Sequence, residues 1–292
     1  MNIKKFFIRR YPFISIIILF LIFPFYLEIP TKVINKFKFK INSIKRSRII
    51  KTNNCSIKKI NKIPNNATII IGHLYGSPTA HNDFIDKNTE ELLIKNKSVI
   101  RNLFLTGDIF QSPDKDKWEK LYYTYEEDMN IIIAPGNHDI GNLKDLKIFN
   151  SSIKQDKIFP VIYEENNNVF IFENSIDSGW KIDENIFSII NSIDKNKNVY
   201  LLRHNIAAKE LILLANSNDF LEKNLHDFKE INKRLNRNII IISGDGGASH
   251  MLPRFFCRTN DKVMHNVNGI GGLKEDSLLI INNNQMSKLT IN

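Results

Sequence analysis

Cysteine is nearly absent: Cys55 and Cys257 are the only two in 292 residues. A Cys-rich structural zinc site is therefore excluded, and the spacing of the pair fits no metal motif. The two are compatible with one disulfide in an oxidising compartment, tying an N-terminal stalk to the rest of the chain, and equally with two unrelated thiols. No segment repeats another and no low-complexity block occurs, which argues against a repeat architecture. The length allows one large domain or two small ones.

Acidic residues are scarce at the start of the chain. Residues 1–51 hold 12 of the 41 Lys and Arg but only one acidic residue, Glu28. The remainder has 29 basic and 30 acidic residues, so the net charge of +10 belongs to the N-terminal part and the rest is close to neutral. That distribution argues against a DNA- or RNA-binding domain, and no nucleic-acid partner is expected.

Charge is missing altogether between Tyr11 and Leu27, a stretch mostly of Ile, Phe and Leu. It reads as a transmembrane anchor at the short end of the spanning range, over residues 11–28, after a basic tail 1–10. A cleaved signal peptide is the rival reading. No small-x-small site follows the apolar core, however, because the next residues are Pro24-Phe25-Tyr26-Leu27-Glu28. Residues 29–66 form a basic juxtamembrane linker that includes Lys36-Phe37-Lys38-Phe39-Lys40, and 67–292 the globular domain. The expected location is a membrane, by a single-pass anchor. Lys4, Lys5, Arg9, Arg10 and the terminus only slightly outweigh Lys32, Lys36, Lys38 and Lys40, which leans to an extracytoplasmic domain; counting Lys45 and Arg46 reverses it.

From Ala67 the pattern becomes α/β. Short apolar runs end in turns: Thr68–Ile71 before Gly72-His73, Asn102–Thr106 before Gly107-Asp108, Ile131–Ala134 before Pro135, Val199–Arg203 before His204, and Ile239–Ser243 before Gly244-Asp245. These read as buried strands. Helices are expected near 88–97, over Lys115–Met129 with Trp118, Leu121, Tyr122 and Tyr125 on one face, and over 185–193, 207–215 and 220–235. Ile158–Tyr163 and Asn168–Phe172 read as a strand pair, and Leu278–Ile281 and Met286–Ile291 as a closing hairpin.

The chemistry concentrates at the strand ends. Asp108 can bridge two divalent ions, since each carboxylate oxygen accepts a bond. Asn137 offers a neutral oxygen, His204 an imidazole, and Asp245 another oxygen ligand. His138 is free to donate to a substrate oxygen, with Asp139 expected to hold its tautomer and raise its basicity. Gly136-Asn137-His138-Asp139 is expected as a tight loop and is the most specific signal. Mixed N and O donors suit Mn, Fe or Zn. His81, Asp83 and His250 read as ordinary loop residues, and Tyr75, Trp180 and Arg254 as packing or surface residues rather than pocket walls.

These motifs, over about residues 67–292, resemble those of the calcineurin-like metallophosphoesterases. That family's motifs run Asp-x-His, Gly-Asp, Gly-Asn-His-Asp/Glu, a lone His and Gly-His-x-His, each after a strand. The resemblance implies a two-sheet α/β/β/α sandwich in which Asp108 bridges two metals and Asn137 and His204 bind the second. It also implies that His138 contacts the scissile phosphate and the leaving oxygen. Two motifs depart. The first reads Ile71-Gly72-His73, keeping the His but not the Asp, and the last reads Gly244-Asp245-Gly246-Gly247. The second metal keeps Asp108, Asn137, His204 and Asp245, while the first keeps His73 and Asp108. The implied function is a membrane-anchored phosphoesterase that hydrolyses a phosphate mono- or diester with a metal-activated water. One or two divalent ions are the cofactor, and a phosphorylated small molecule or lipid-linked phosphate is the substrate. The alternative is a degenerate member that binds a phosphorylated ligand or partner without turnover.

Overall fold

The computed structural model describes residues 55–77, 80–211, 225–246, 255–271 and 276–291. All of them belong to one compact unit that runs from Lys45 to Asn292. The basic tail, the expected anchor 11–28 and the linker up to residue 54 lie outside the described residues. Among the described residues no helix is long and apolar enough to cross a membrane.

The apolar runs form two six-stranded sheets. The first contains β1 (Lys58–Lys59), β2 (Ala67–Ile71), β3 (Ile100–Leu105) and β4 (Asn130–Ile133), closed by the hairpin β11 (Ser277–Asn282) and β12 (Gln285–Thr290), in the order β1-β12-β11-β2-β3-β4. The second contains β5 (Val161–Glu165), β6 (Asn168–Phe172), β7 (Asn198–Arg203), β8 (Ile239–Ser243), β9 (Phe255–Asn260) and β10 (Val263–Asn268), in the order β5-β6-β7-β8-β10-β9. β2, β3 and β4 run parallel, as do β6, β7, β8 and β10. The carboxyl ends of the parallel strands therefore gather along one edge of each sheet.

The central parallel strands β2, β3, β6, β7 and β8 are buried almost throughout, which is why these runs read as continuous rather than alternating, whereas β1 and β5 are exposed or half-buried. Ile70, Phe104, Phe170, Phe172, Leu202 and Ile242 fill the space between the sheets. On the far face of the first sheet, Ile69, Leu103 and Leu105 pack against α1 (Lys87–Lys95), α2 (Lys115–Tyr125) and, through Phe149, the later helix 143–152. On the far face of the second, Val169 and Leu201 pack against α5 (Glu184–Ser192) and α6 (Phe228–Arg234). The layers run helix, sheet, sheet, helix, as the resemblance implied. Trp118, Leu121, Tyr122 and Tyr125 all face the core from α2.

Several expected elements shift. Gly136-Asn137-His138-Asp139 is not simply a loop, because it opens a one-turn helix, α3 (Asn137–Ile140). α4 (Leu143–Ser152) was not anticipated. It starts where the Asn142 side chain accepts from the amides of Lys144 and Asp145, and Phe149 is its one fully buried residue, too thin a stripe to show as periodicity. α2 ends at Tyr125 rather than Met129, and β5 begins at Val161 because Ile158 faces solvent. Of the expected helix 220–235, residues 220–224 lie outside the described residues, and among the described ones the helix starts at Phe228, after an Asp227 cap whose carboxylate accepts from the Glu230 amide. The expected helix 207–215 begins at Lys209 and passes out of the described residues after 211.

The stalk joins the domain in two ways. Lys58–Lys59 pairs with Ser287–Lys288 of β12, so the ordered fold starts before Ala67. Cys55 and Cys257 form a disulfide across 202 residues with Cα atoms 5.6 Å apart, which decides between the two readings of the pair.

Candidate metal centre

Within each sheet the turns at the carboxyl-terminal edge are tightly bonded to one another. The amides of His73 and Leu74, after β2, donate to the carbonyls of Gly107 and Asp108, after β3, both at 2.8 Å. The amides of Gly244 and Asp245 donate to the carbonyls of Arg203 and His204, both at 3.0 Å. Gly107 has φ +83°, and a Cβ there would lie 2.6 Å from His204 Nδ1 and 2.7 Å from the Gly136 nitrogen. Glycine is what lets strands from opposite sheets come this close.

At this junction stand His73, Asp108, Asn137, His138, Asp139, His204 and Asp245. Asp108 is buried and lies in the left-handed region at φ 56°, as does His73 at φ 52°. Such backbone costs about 1–3 kcal/mol per residue and persists only where surroundings enforce it. Asp108 Oδ1 lies 3.5 Å from His204 Nε2, and its Oδ2 lies 3.9 Å from His73 Nε2. Asn137 Oδ1 lies 3.2 Å from His204 Nε2. The other nitrogen of each ring meets a backbone carbonyl: His204 Nδ1 that of Thr106 at 3.1 Å, and His73 Nδ1 that of Ile270 at 3.0 Å. A carbonyl only accepts, so both Nδ1 atoms carry the hydrogen, and both Nε2 atoms face the Asp108 carboxylate.

The Gly136–Asp139 turn is held by its own carboxylate. Asp139 Oδ2 accepts from the amides of Asp108 at 2.7 Å and Gly136 at 2.9 Å, and Oδ1 accepts from the Ile109 amide at 3.0 Å. This corrects the expectation that Asp139 orients His138. Its two oxygens bind backbone, and His138 Nδ1 meets the Gln111 carbonyl instead, at 2.9 Å. The His138 amide donates to Asp108 Oδ1 at 3.0 Å. Asn137 is exposed and His138 half-buried, so the centre opens to solvent on this side.

The charges are crowded. Burial, then the neighbouring Asp108, pushes the Asp139 carboxyl up to about 7 against the amides it accepts from. Its low-dielectric surroundings, opposed by His204 and helped by Asp108, push Asp245 up to about 6. Burial works against a charged His204, but Asp108, Asp245, the Thr106 carbonyl and Asp139 together raise it above its ordinary value. Buried carboxylates that repel one another beside imidazoles with committed Nδ1 atoms make a site that favours an added cation.

The donors fit one in part. Two ligands each about 2.1 Å from a tetrahedral ion lie about 3.4 Å apart. The Asp108–His204 and Asn137–His204 separations match that spacing. Among the described residues, however, no group of three His, Cys, Asp or Glu side chains is already drawn together around a point. Asn137 is the donor that completes the Asp108–His204 pair.

His81 and Asp83 are exposed, and His250 and Arg254 lie outside the described residues. Trp180 is half-buried against the second sheet's outer core. Tyr75 belongs to the centre after all: it is buried, with its ring 4.2 Å from that of His73 and 5.2 Å from that of His138. The carbonyls of Thr106, Gln111 and Ile270 could not have been singled out from sequence, because every residue has one.

Residues 81–223 match the family described as calcineurin-like phosphoesterase. The match takes in Asp108, Asn137, His138, Asp139 and His204, while His73 and Asp245 lie outside it. Among solved structures, purple acid phosphatase PPD1 from yellow lupin (Lupinus luteus) seeds is similar, with a TM-score of 0.52 and 12% identity over 80% of this chain and 55% of that one. This chain thus spans about half the length of that enzyme, and the likeness is one of fold. No curated protein matches the sequence.

Proposed function

We propose that this member of the calcineurin-like phosphoesterase family is a metal-dependent phosphoric ester hydrolase tethered to a membrane. The observation that carries the reading is the Asp108 carboxylate, buried between two imidazoles whose Nε2 atoms face its two oxygens, at 3.5 and 3.9 Å. A buried carboxylate gathered with imidazole nitrogens and an amide oxygen is a mixed donor set of the kind that holds a divalent ion. Asp108, Asn137, His204 and Asp245 are the donors for such an ion, with Mn, Fe or Zn suited to the mixed set. A divalent ion bound there would lower the pKa of the attacking water and offset charge on the phosphoryl oxygens.

The chain's own groups supply the rest. His138 keeps its Nδ1 hydrogen on the Gln111 carbonyl, so Nε2 is the atom that exchanges a proton with the departing oxygen. Asp139 ties the turns after β3 and β4 into one rigid unit and thereby sets the position of His138 relative to Asp108. The half-exposed side, at Asn137 and His138, is where an ester enters.

The charge-free stretch 11–27 supports a single-pass tether, and the Cys55–Cys257 bridge supports an oxidising, extracytoplasmic compartment for the domain. A tether puts lipid-linked and small phosphorylated molecules near the bilayer within reach. The near-neutral domain supports no role for nucleic acid.

The test is hydrolysis of an aryl phosphate monoester and an aryl phosphodiester by the full chain with Mn2+, beside Asp108→Asn. Turnover that the variant lacks supports the reading, and equal rates in the two sink it. No turnover by a folded, metal-loaded protein would favour a phosphate-binding role without catalysis.

A further inference from the structure

We infer that the centre takes a single divalent ion, on the His204 side of Asp108, and that His73 is a positioning residue rather than a ligand; this deepens, and rests on, the proposed metal-dependent function. The two oxygens of Asp108 have unequal surroundings. Around Oδ1 are His204 Nε2 at 3.5 Å, Asn137 Oδ1 at 3.2 Å from that nitrogen, and the charge of Asp245, which reaches both His204 and Asp108. Around Oδ2 the described donor is His73 Nε2, at the longer distance of 3.9 Å. The residue two before His73 supplies no oxygen: Ile71 is fully buried in the apolar cluster under the helices. The ring of Tyr75 covers His73 at 4.2 Å.

A divalent ion with mixed N and O ligands needs three or four protein donors to be held against water. Among the described residues the Oδ1 side offers Asp108, His204 and Asn137 with the Asp245 charge close by, and the Oδ2 side offers Asp108 and His73. His73 instead has the geometry of a brace. Its Nδ1 is fixed to the Ile270 carbonyl at 3.0 Å, its backbone amide is bonded to the Gly107 carbonyl, and its ring packs on Tyr75. It occupies the Oδ2 side of the carboxylate and so leaves Asp108 to bind the ion through Oδ1.

The experiment is a titration of the metal-free full chain, in mild detergent, with Mn2+ alone. It is followed by equilibrium dialysis with elemental analysis and by electron paramagnetic resonance. The expected result is about one bound ion per chain with the hyperfine pattern of an isolated Mn2+. His73→Gln should keep that stoichiometry and pattern. Asn137→Ala, at an exposed position that leaves the fold intact, should weaken binding by about tenfold or more. Two ions with an exchange-coupled spectrum would overturn the inference while leaving the phosphoesterase reading standing. So would a His73→Gln variant that loses one of two ions. One tightly bound ion with no hydrolysis of either ester would leave the inference standing and remove the function instead. No binding would remove both.

Discussion

His204 Nε2 lies 3.5 Å from Asp108 Oδ1, although the two residues end strands of different sheets. The contact spans the seam of the sandwich, and the bond from His204 Nδ1 to the Thr106 carbonyl fixes the ring from the other side. The centre therefore depends on the relative placement of the two sheets as much as on its own side chains, and small changes at the seam should be felt in function.

Gly107→Ala tests that dependence. The position has φ +83°, and the new methyl would meet His204 Nδ1 at 2.6 Å and the Gly136 nitrogen at 2.7 Å. Overpacking of this kind costs about 1–3 kcal/mol, with the left-handed backbone adding to it. The expected outcome is a lower urea midpoint together with loss of metal affinity. A variant that unfolds at the wild-type midpoint would show that the seam yields more than the geometry allows.

His138→Ala separates chemistry from metal binding. The His138 contact to Asp108 Oδ1 comes from the backbone amide, which the substitution keeps. Metal content should be unchanged, while kcat should fall by about 10²–10⁴-fold, the usual range for a lost general acid. Steady-state kinetics beside elemental analysis checks both halves, and an unchanged kcat would remove His138 from the reaction.

His265 should make the fold acid-sensitive. It lies fully buried on β10, where burial and then Arg203 push it down to about 3 from an ordinary 6.5. Between pH 6.5 and 3 the unfolded chain binds a proton that the folded one refuses. Stability therefore falls as pH drops through that window, by about 1.4 kcal/mol per unit. His265→Gln retains an acceptor for the Ala207 amide, which now donates to Nε2 at 3.1 Å. Urea unfolding at pH 6.5 and 5.5 should show a larger loss in the wild type than in the variant. Equal losses would mean that His265 is already protonated in the fold.

Reducing the Cys55–Cys257 bridge releases a loop of 202 residues. A native disulfide of this span contributes about 2–5 kcal/mol. The double variant Cys55→Ser, Cys257→Ser should unfold at a lower urea concentration and be indifferent to reductant, whereas the wild type should shift toward it when reductant is added. A midpoint unmoved by either change would mean that the bridge constrains nothing the fold needs.

Much of this was legible in the chain. Buried parallel strands are apolar along their whole length, so Ile69–Ile71, Leu103–Leu105 and Ile239–Ile242 announce themselves. The polar residue after each run is forced to the sheet edge by the end of the ladder, which put Asp108, Asn137, His204 and Asp245 in one neighbourhood. Helix ends and weakly amphipathic elements were less visible. α4 depends on an Asn142 cap and one buried Phe149, and the strand at Val161 on a partner, β6, that supplies its hydrogen bonds.

The sequence by itself determined the strand-end chemistry, the near-neutral domain and the basic, charge-segregated N-terminal part, because each is written in neighbouring residues. Only the tertiary structure decided what depends on distance between remote positions. It paired Cys55 with Cys257. It gave the orientation of His138 to the Gln111 carbonyl and that of His204 to the Thr106 carbonyl, and it used both oxygens of Asp139 on backbone amides. It also placed His73 and His204 on opposite oxygens of Asp108, in unequal company. The reason is that backbone groups are the same at every residue, so which one orients a given side chain is settled by how the strands pack, not by the side chain's identity.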